Sequence, residues 1–141
     1  MKIAVIDGQG GGMGRALVAE LKARMGDRQH TILALGTNSL ATQAMLKAGA
    51  HEGATGENAI VYNAGRVDVI AGPIGIVLAN ALLGELSPRM AEAIASSPAM
   101  KVLIPMERCQ VHVVGAVSQP LQASVEQAVA HILSHIAQKA L

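Results

Sequence analysis

Five of the seven residues from position 8 to position 14 are glycines, and they follow a short apolar run that ends at Ile6. Glycine has no Cβ, so the backbone N–H groups of such a loop can approach an anion closely. A helix that starts here adds unpaired N–H groups and the positive end of its dipole. We therefore predict a binding site for a nucleotide phosphate. The simpler interpretation is a tight turn between a strand and a helix, although a turn needs fewer glycines.

This glycine loop, residues 7–14, contributes the first group of predicted ligand-binding residues. Asp7 can accept hydrogen bonds from loop amides or from ligand hydroxyls, or it only caps a local turn. The residues assigned to the ligand are Asp7, Gly8, Gly10, Gly11, Gly12, Met13 and Gly14.

The spacing of the glycines departs from the usual dinucleotide fingerprint, which needs glycine at relative positions one, three and six. Counting from Gly8 places Met13 at the sixth position, so this register fails. The pattern that fits is G-x-x-x-G-x-G, and the string GMGRA at 12–16 is similar to the start of short-chain dehydrogenases. The tyrosine and lysine that those enzymes use four residues apart have no counterpart, since Tyr62 is followed at that spacing by Arg66. An arginine stays charged and does not replace lysine in proton handling. Their mechanism is not transferred.

The end of the second predicted strand lacks the carboxylate that binds ribose in NAD sites. Thr37, Asn38 and Ser39 stand there instead. They can bind a ribose or a 2′-phosphate, which favours NADP or a mononucleotide over NAD, or they only cap the next helix.

Two further loops complete the predicted cleft. In the segment 53–58, Glu57 and Asn58 are ligand-binding candidates, and Glu57 is also a candidate general base; the alternative is a capping acid on a short helix. Gly72, Pro73 and Gly75 follow a later strand and form either a third wall or a strand-to-helix turn.

Cys109 is a second, weak catalytic candidate because Arg108 beside it can favour the thiolate. A buried, inert cysteine is the alternative. His131 and His135 have the spacing of a helical metal pair. No matching acid or cysteine cluster accompanies them, and we predict no metal site.

Alternating strand-like and helical patterns predict an α/β class with a mostly parallel sheet of about five strands. Apolar residues at i+4 spacing predict helices at 12–25 and 120–141, and capping signals predict helices at 39–48 and from Pro88. The very apolar segment 76–83 is expected to be a helix that is buried in the sheet packing or in a subunit interface. The predicted strands are 2–6, 31–35, 67–71, 101–104 and 111–114, while 49–63 is expected to be a turn-rich loop with a short helical or extended piece at 57–62.

Length and composition limit the function classes. With 141 residues the chain fits one domain, and 11 basic against 10 acidic residues, one aromatic residue and no basic run argue against a nucleic-acid partner. We see no membrane span or targeting segment, and a single cysteine fits a reducing compartment. A cytoplasmic protein is predicted.

Longer motifs point to a family. The strings IDGQGGGMG, LGTNSLAT, GATGENAIVYN, GPIGIVLANALLGE and LIPMERC, together with shorter ones, resemble a family of short bacterial proteins with a domain of unknown function. The resemblance spans about residues 1–115. It implies a stand-alone, cytoplasmic, Rossmann-like domain, and it carries no activity. Together with the alternating strand and helix pattern, this predicts a three-layer domain with helices on both faces of the sheet.

These features lead to one principal hypothesis and two alternatives. The principal one is a homo-oligomer that binds a nucleotide or dinucleotide of the NAD(P) type, as a sensor or a small reductase. The first alternative is an enzyme that acts on a phosphorylated or carboxylated metabolite without a nucleotide. The second is an oligomeric assembly partner.

Overall fold

The computed structural model describes residues 1–26 and 29–141, with the side chain of Arg108 also outside the description. The strands are β1 (Lys2–Asp7), β2 (Thr31–Gly36), β3 (Glu52–Thr55), β4 (Val69–Pro73) and β5 (Met100–Ile104). The helices are α1 (Gly12–Met25), α2 (Ser39–Lys47), α3 (Glu57–Ala64), α4 (Pro88–Ser96) and α5 (Leu121–Lys139), with short 3₁₀ helices at Ile74–Val77 and Glu107–Cys109.

All five strands run parallel in the order β3-β2-β1-β4-β5. Side chains alternate between the two faces of each strand, so Ile3 and Val5 pack under α1, α2 and α5, while Ala4 and Ile6 pack under α3 and α4. The predicted three-layer α/β architecture is confirmed. Within the described ranges, no helix combines the length and hydropathy needed to cross a bilayer.

Helix α1 has the predicted bounds because its apolar i+4 residues face the core. Leu17, Leu21 and Met25 are buried, and the chain leaves the helix at Gly26, whose φ is +60°. Asp27, which the sequence also assigns to this stop, lies outside the described residues.

The segment 76–83 is not the buried helix that its composition predicts. A 3₁₀ helix, Ile74–Val77, is followed by turns through residue 85, and Leu83 is 98% exposed at their tip. Asn80, Leu82 and Leu83 adopt positive φ values of 66°, 59° and 57°, which no α-helix accommodates. The buried side chains Ile76 and Leu86 hold the two ends of this segment. We call residues 78–85 the covering loop.

Two strand predictions are wrong. β3 lies in the region expected to be a turn-rich loop; it is a four-residue edge strand with mostly exposed side chains, so it has no apolar run to reveal it. Residues 111–114 form no strand, because they pair with no neighbouring strand and lie in an irregular, mostly exposed segment. The third and fourth predicted strands and the short helix shift by a few residues, and Gly72 and Pro73 lie inside β4 rather than after it.

Candidate functional site

The glycine loop lies at the carboxyl edge of the sheet, beside the place where the strand order reverses. The chain runs from β1 outward through β2 and β3, then returns to the other side of β1 to form β4 and β5. In open parallel sheets, ligands bind in the crevice outside this edge, at the reversal point. The topology therefore places the glycine loop where a ligand is expected.

Hydrogen bonds to the side chain of Asp7 connect the end of β1 to the first turn of α1. Asp7 Oδ1 accepts a hydrogen bond from the Gly8 amide at 2.8 Å, and Asp7 Oδ2 accepts one from the Gly14 amide at 2.6 Å. Burial raises the pKa of this carboxyl group, and the backbone hydrogen bonds only partly oppose that effect. Of the roles predicted for Asp7, bonding to loop amides is the one that the contacts provide.

The glycines of the loop fall into two groups. A Cβ on Gly8, Gly11 or Gly14 would lie within 2.6–2.8 Å of Thr37 Oγ1, the Ala41 Cα or Met45 Sδ, respectively. Packing therefore requires these three glycines, as the turn interpretation expects. Gly10 and Gly12 are exposed, and a Cβ on either would meet no atom within 4 Å. Nothing in the packing explains why these two are glycine.

Glu85, in the covering loop, is a central residue of this region that the sequence reasoning missed. Its Oε1 accepts hydrogen bonds from Thr37 Oγ1 at 2.6 Å, from Asn38 Nδ2 at 2.8 Å and from the Gln9 amide at 2.9 Å. Partial burial raises the pKa of Glu85, but the three hydrogen bonds together outweigh it and lower the pKa. The available signal in the sequence was that Glu85 is the lone charged residue between positions 69 and 88, in a stretch of mostly apolar and small residues.

The covering loop also shields the start of the glycine loop. The Leu82 Cδ1 atom lies 2.8 Å, and the Glu85 Oε1 atom 3.2 Å, from the position that a Cβ on Gly8 would take. The end of β2, the glycine loop and the covering loop therefore form one contiguous cluster.

Asn38 connects α2 to this cluster. Its Oδ1 accepts from the Ala41 amide at 2.9 Å as the cap of α2, and its Nδ2 also donates to the Gln9 carbonyl at 2.9 Å. Thr37 and Asn38 thus lie against the glycine loop, while Ser39 is exposed on the first turn of α2.

The side-chain hydrogen bonds of Glu57 are made to residues outside the cluster around the glycine loop. Glu57 Oε2 accepts from Ser87 Oγ at 2.5 Å, and Arg89 Nη1 lies 3.3 Å from Glu57 Oε1. The Ser87 hydrogen bond lowers the pKa of Glu57, with Arg89 contributing in the same direction. These contacts join the start of α3 to the start of α4, and Asn58 lies exposed beside Glu57.

Each of the remaining predicted residues has contacts or burial within the fold. A Cβ on Gly72 would collide with the Ile6 carbonyl, so this glycine lets β4 approach β1, and Gly75 is buried in the 3₁₀ helix. Cys109 is half-buried and donates its Sγ hydrogen to the Met106 carbonyl at 3.1 Å.

A groove of about 840 Å³ lies elsewhere, between β5, the segment 105–119 and α5. None of the predicted ligand-binding or catalytic residues lines it. In the described part of the chain, no three metal-ligating side chains come together, there or elsewhere.

The strand order, the three layers and the glycine turn after β1 define a Rossmann-like α/β protein. The chain belongs to the family described as domain of unknown function DUF3842, whose model matches residues 2–137. No protein with a curated function matches it significantly.

Two solved structures are similar to this chain. One is a dodecameric FMN-dependent UbiX-like decarboxylase from Escherichia coli O157:H7, with 16% identity, a TM-score of 0.55, and coverage of 97% of this chain and 94% of that chain. The other is AibC, with 15% identity, a TM-score of 0.46, and coverage of 95% and 39%. At 16% identity, the likeness to the decarboxylase shows the fold alone.

Proposed function

We propose that residues 1–141 act as a single nucleotide-binding domain, with the ligand phosphate at Gly10 and Gly12. The observation that carries the proposal is that both glycines are exposed and their missing Cβ atoms leave open space. Packing accounts for the other three glycines and not for these two. Close approach of an anion to the backbone at the start of α1 is a physical reason for them.

Flavin mononucleotide is the first ligand to test, because the fold neighbour is described as FMN-dependent. NADP and NAD come next, as the polar residues at the end of β2 suggest. The absence of the dinucleotide spacing is compatible with a mononucleotide. In either case we place the protein in the cytoplasm as a sensor or a small reductase.

We further propose that the protein is a homo-oligomer. The apolar side chains of Val114 and Val117 are 89% and 80% exposed, and the fold neighbour is dodecameric. Both side chains belong to the segment 105–119, and exposed apolar surface there is available to a neighbouring subunit. Sedimentation velocity measures this directly, and a monomer at micromolar concentration would contradict it.

The binding proposal is tested by thermal-shift titration with FMN, NADP, NAD, ATP and orthophosphate, followed by calorimetry. A bound nucleotide at about one hundred times its Kd should stabilise the fold by about 2.7 kcal/mol. Gly10→Ala combined with Gly12→Ala should abolish this stabilisation, because two methyl groups would occupy the space of the phosphate.

Gly65→Ala is the matched control. A Cβ there also meets open space, and φ at Gly65 is −89°, so the substitution is similar in kind but lies at the end of α3. This variant should bind as the wild type does. Absence of a shift with every ligand, or full binding by the double variant, would refute the proposal.

A carboxylated metabolite is the second candidate ligand class. One observation favours it: the open backbone at Gly10 and Gly12, by the start of α1, can accept a carboxylate as well as a phosphate. Mass spectrometry of the small molecules released from freshly purified protein distinguishes a nucleotide from such a metabolite.

A further inference from the structure

Glu85 brings a carboxylate to the end of β2, where the sequence has none. Residues 35–39 read LGTNS, so the acid that binds ribose in many dinucleotide sites is missing from its usual place. Thr37 and Asn38, at that place, both donate to Glu85 Oε1. Glu85 lies 48 residues after Thr37 and 47 residues after Asn38 in the sequence. The covering loop therefore supplies this carboxylate from a distant part of the chain.

The carboxylate is held in one position. Three donors from two different segments meet at Oε1, at distances between 2.6 and 2.9 Å. Hydrogen bonds to an ionised acceptor are about twice as strong as those between neutral groups. Leu86, which follows directly, is fully buried and fixes the backbone on that side.

The second oxygen retains its acceptor capacity. In the described part of the chain, the hydrogen bonds to Glu85 all end on Oε1, while an ionised carboxylate offers about four lone-pair sites. Oε2 can therefore accept hydrogen bonds from the hydroxyl groups of a ligand. A phosphate at the same point would meet a like charge. The pKa of Glu85 is lowered, so this charge persists at neutral pH.

We propose that Glu85 selects the sugar of the ligand, by accepting a hydrogen bond from an unmodified ribose and excluding a ribose with a 2′-phosphate. This inference rests on the proposed nucleotide site and narrows it. The ligand class becomes nucleotides whose ribose hydroxyls, or in FMN the ribityl hydroxyls, are free, and NADP is disfavoured, contrary to what residues 37–39 alone suggest.

The test compares three probes that share one 5′-phosphate: AMP, 2′-deoxy-AMP and adenosine 2′,5′-bisphosphate. Calorimetry of the wild type should show AMP binding at least about tenfold more tightly than the bisphosphate, because like charges in one site repel. The deoxy probe should also lose about tenfold or more, since a site built to bind a hydroxyl rejects the analogue that lacks it.

Glu85→Gln should bring the ratio between AMP and the bisphosphate close to one, and Glu85→Asp, which keeps the charge, should preserve the preference for AMP. Each ratio is measured within one variant, so a partial loss of stability affects both probes alike. Glu92→Gln, the same charge change at an exposed site on α4, should match the wild type.

The outcomes separate the two proposals. Equal binding of AMP and the bisphosphate by the wild type, or an unchanged ratio in Glu85→Gln, overturns the role of Glu85 and leaves the phosphate site standing. The same holds if the wild type binds FMN but neither AMP nor the bisphosphate. A wild type that binds none of these ligands overturns the nucleotide site and the role of Glu85 together.

Discussion

Gly11→Ala should destabilise the fold far more than Gly12→Ala, although the two glycines are adjacent. At Gly11 the backbone φ is +73°, a region that costs a residue with a Cβ about 1–2 kcal/mol. The new Cβ would also lie 2.8 Å from the Ala41 Cα and 3.1 Å from the Ala41 carbonyl oxygen. Both are backbone atoms of α2, so the contact is relieved only by moving one helix against the other.

The magnitude follows from these two terms. Strain and crowding together should lower the free energy of unfolding by about 2–5 kcal/mol, since overpacking alone typically costs about 1–3 kcal/mol. For a chain of this length, 1 kcal/mol corresponds to roughly 3 °C in Tm, so the expected loss is about 6–15 °C.

Gly12→Ala should have the opposite sign. Its Cβ meets open space, φ is not in the left-handed region, and the position is the first of α1. Alanine restricts the unfolded chain and should raise the stability by about 0.4–1 kcal/mol. Thermal and urea unfolding, followed by circular dichroism without ligand, measures both variants. Equal destabilisation by the two substitutions would refute the division of the glycine loop into packing and ligand-facing residues.

Three other predictions concern the core, the covering loop and pH. Leu17→Ala should cost about 2–5 kcal/mol in urea unfolding, because this fully buried side chain fills the core between α1 and the sheet; a loss below 1 kcal/mol would contradict that packing. Leu83→Asn should stabilise the fold by up to about 1 kcal/mol, since asparagine tolerates the positive φ and the exposed leucine packs on little; a lower Tm would show that Leu83 makes contacts in solution. The lowered pKa of Glu85 means that its charged form stabilises the fold above the ordinary value of 4.5, and that this contribution disappears as the pH falls through the folded-state pKa. Stability should therefore drop less between pH 6 and pH 3 in Glu85→Gln than in the wild type, and identical pH profiles would contradict this.

Local patterns predicted most of the fold. The bounds of α1 follow from apolar residues at i+4 spacing and a glycine stop, and the cap of α2 follows from Asn38. β3 was not predicted because its residues are EGAT, with mostly exposed side chains and a glycine that packs against Thr42 and Leu46. Such an edge strand is defined by its pairing with β2, which no local pattern encodes.

The helix predicted at residues 76–83 was wrong for a different reason. The alanines and leucines of this segment favour a helix, yet the chain must turn back across the glycine loop between β4 and α4. Leu82 contacts Gly8 only because Asn80, Leu82 and Leu83 adopt positive φ values. Tertiary contacts override the local preference here.

The same nonlocality explains why the candidate site was only half predictable. The glycine loop is a local feature, so its residues and its place after β1 were readable from composition and spacing. Glu85 lies 76 residues beyond Gln9, and only the reversal of strand order between β1 and β4 brings its segment to the same edge. A carboxylate missing from the end of β2 in the sequence therefore does not mean a carboxylate missing from the site. In parallel sheets of this order, an acid in the loop after β4 can reach the end of β2, and the search for a ribose-binding residue should extend to that loop.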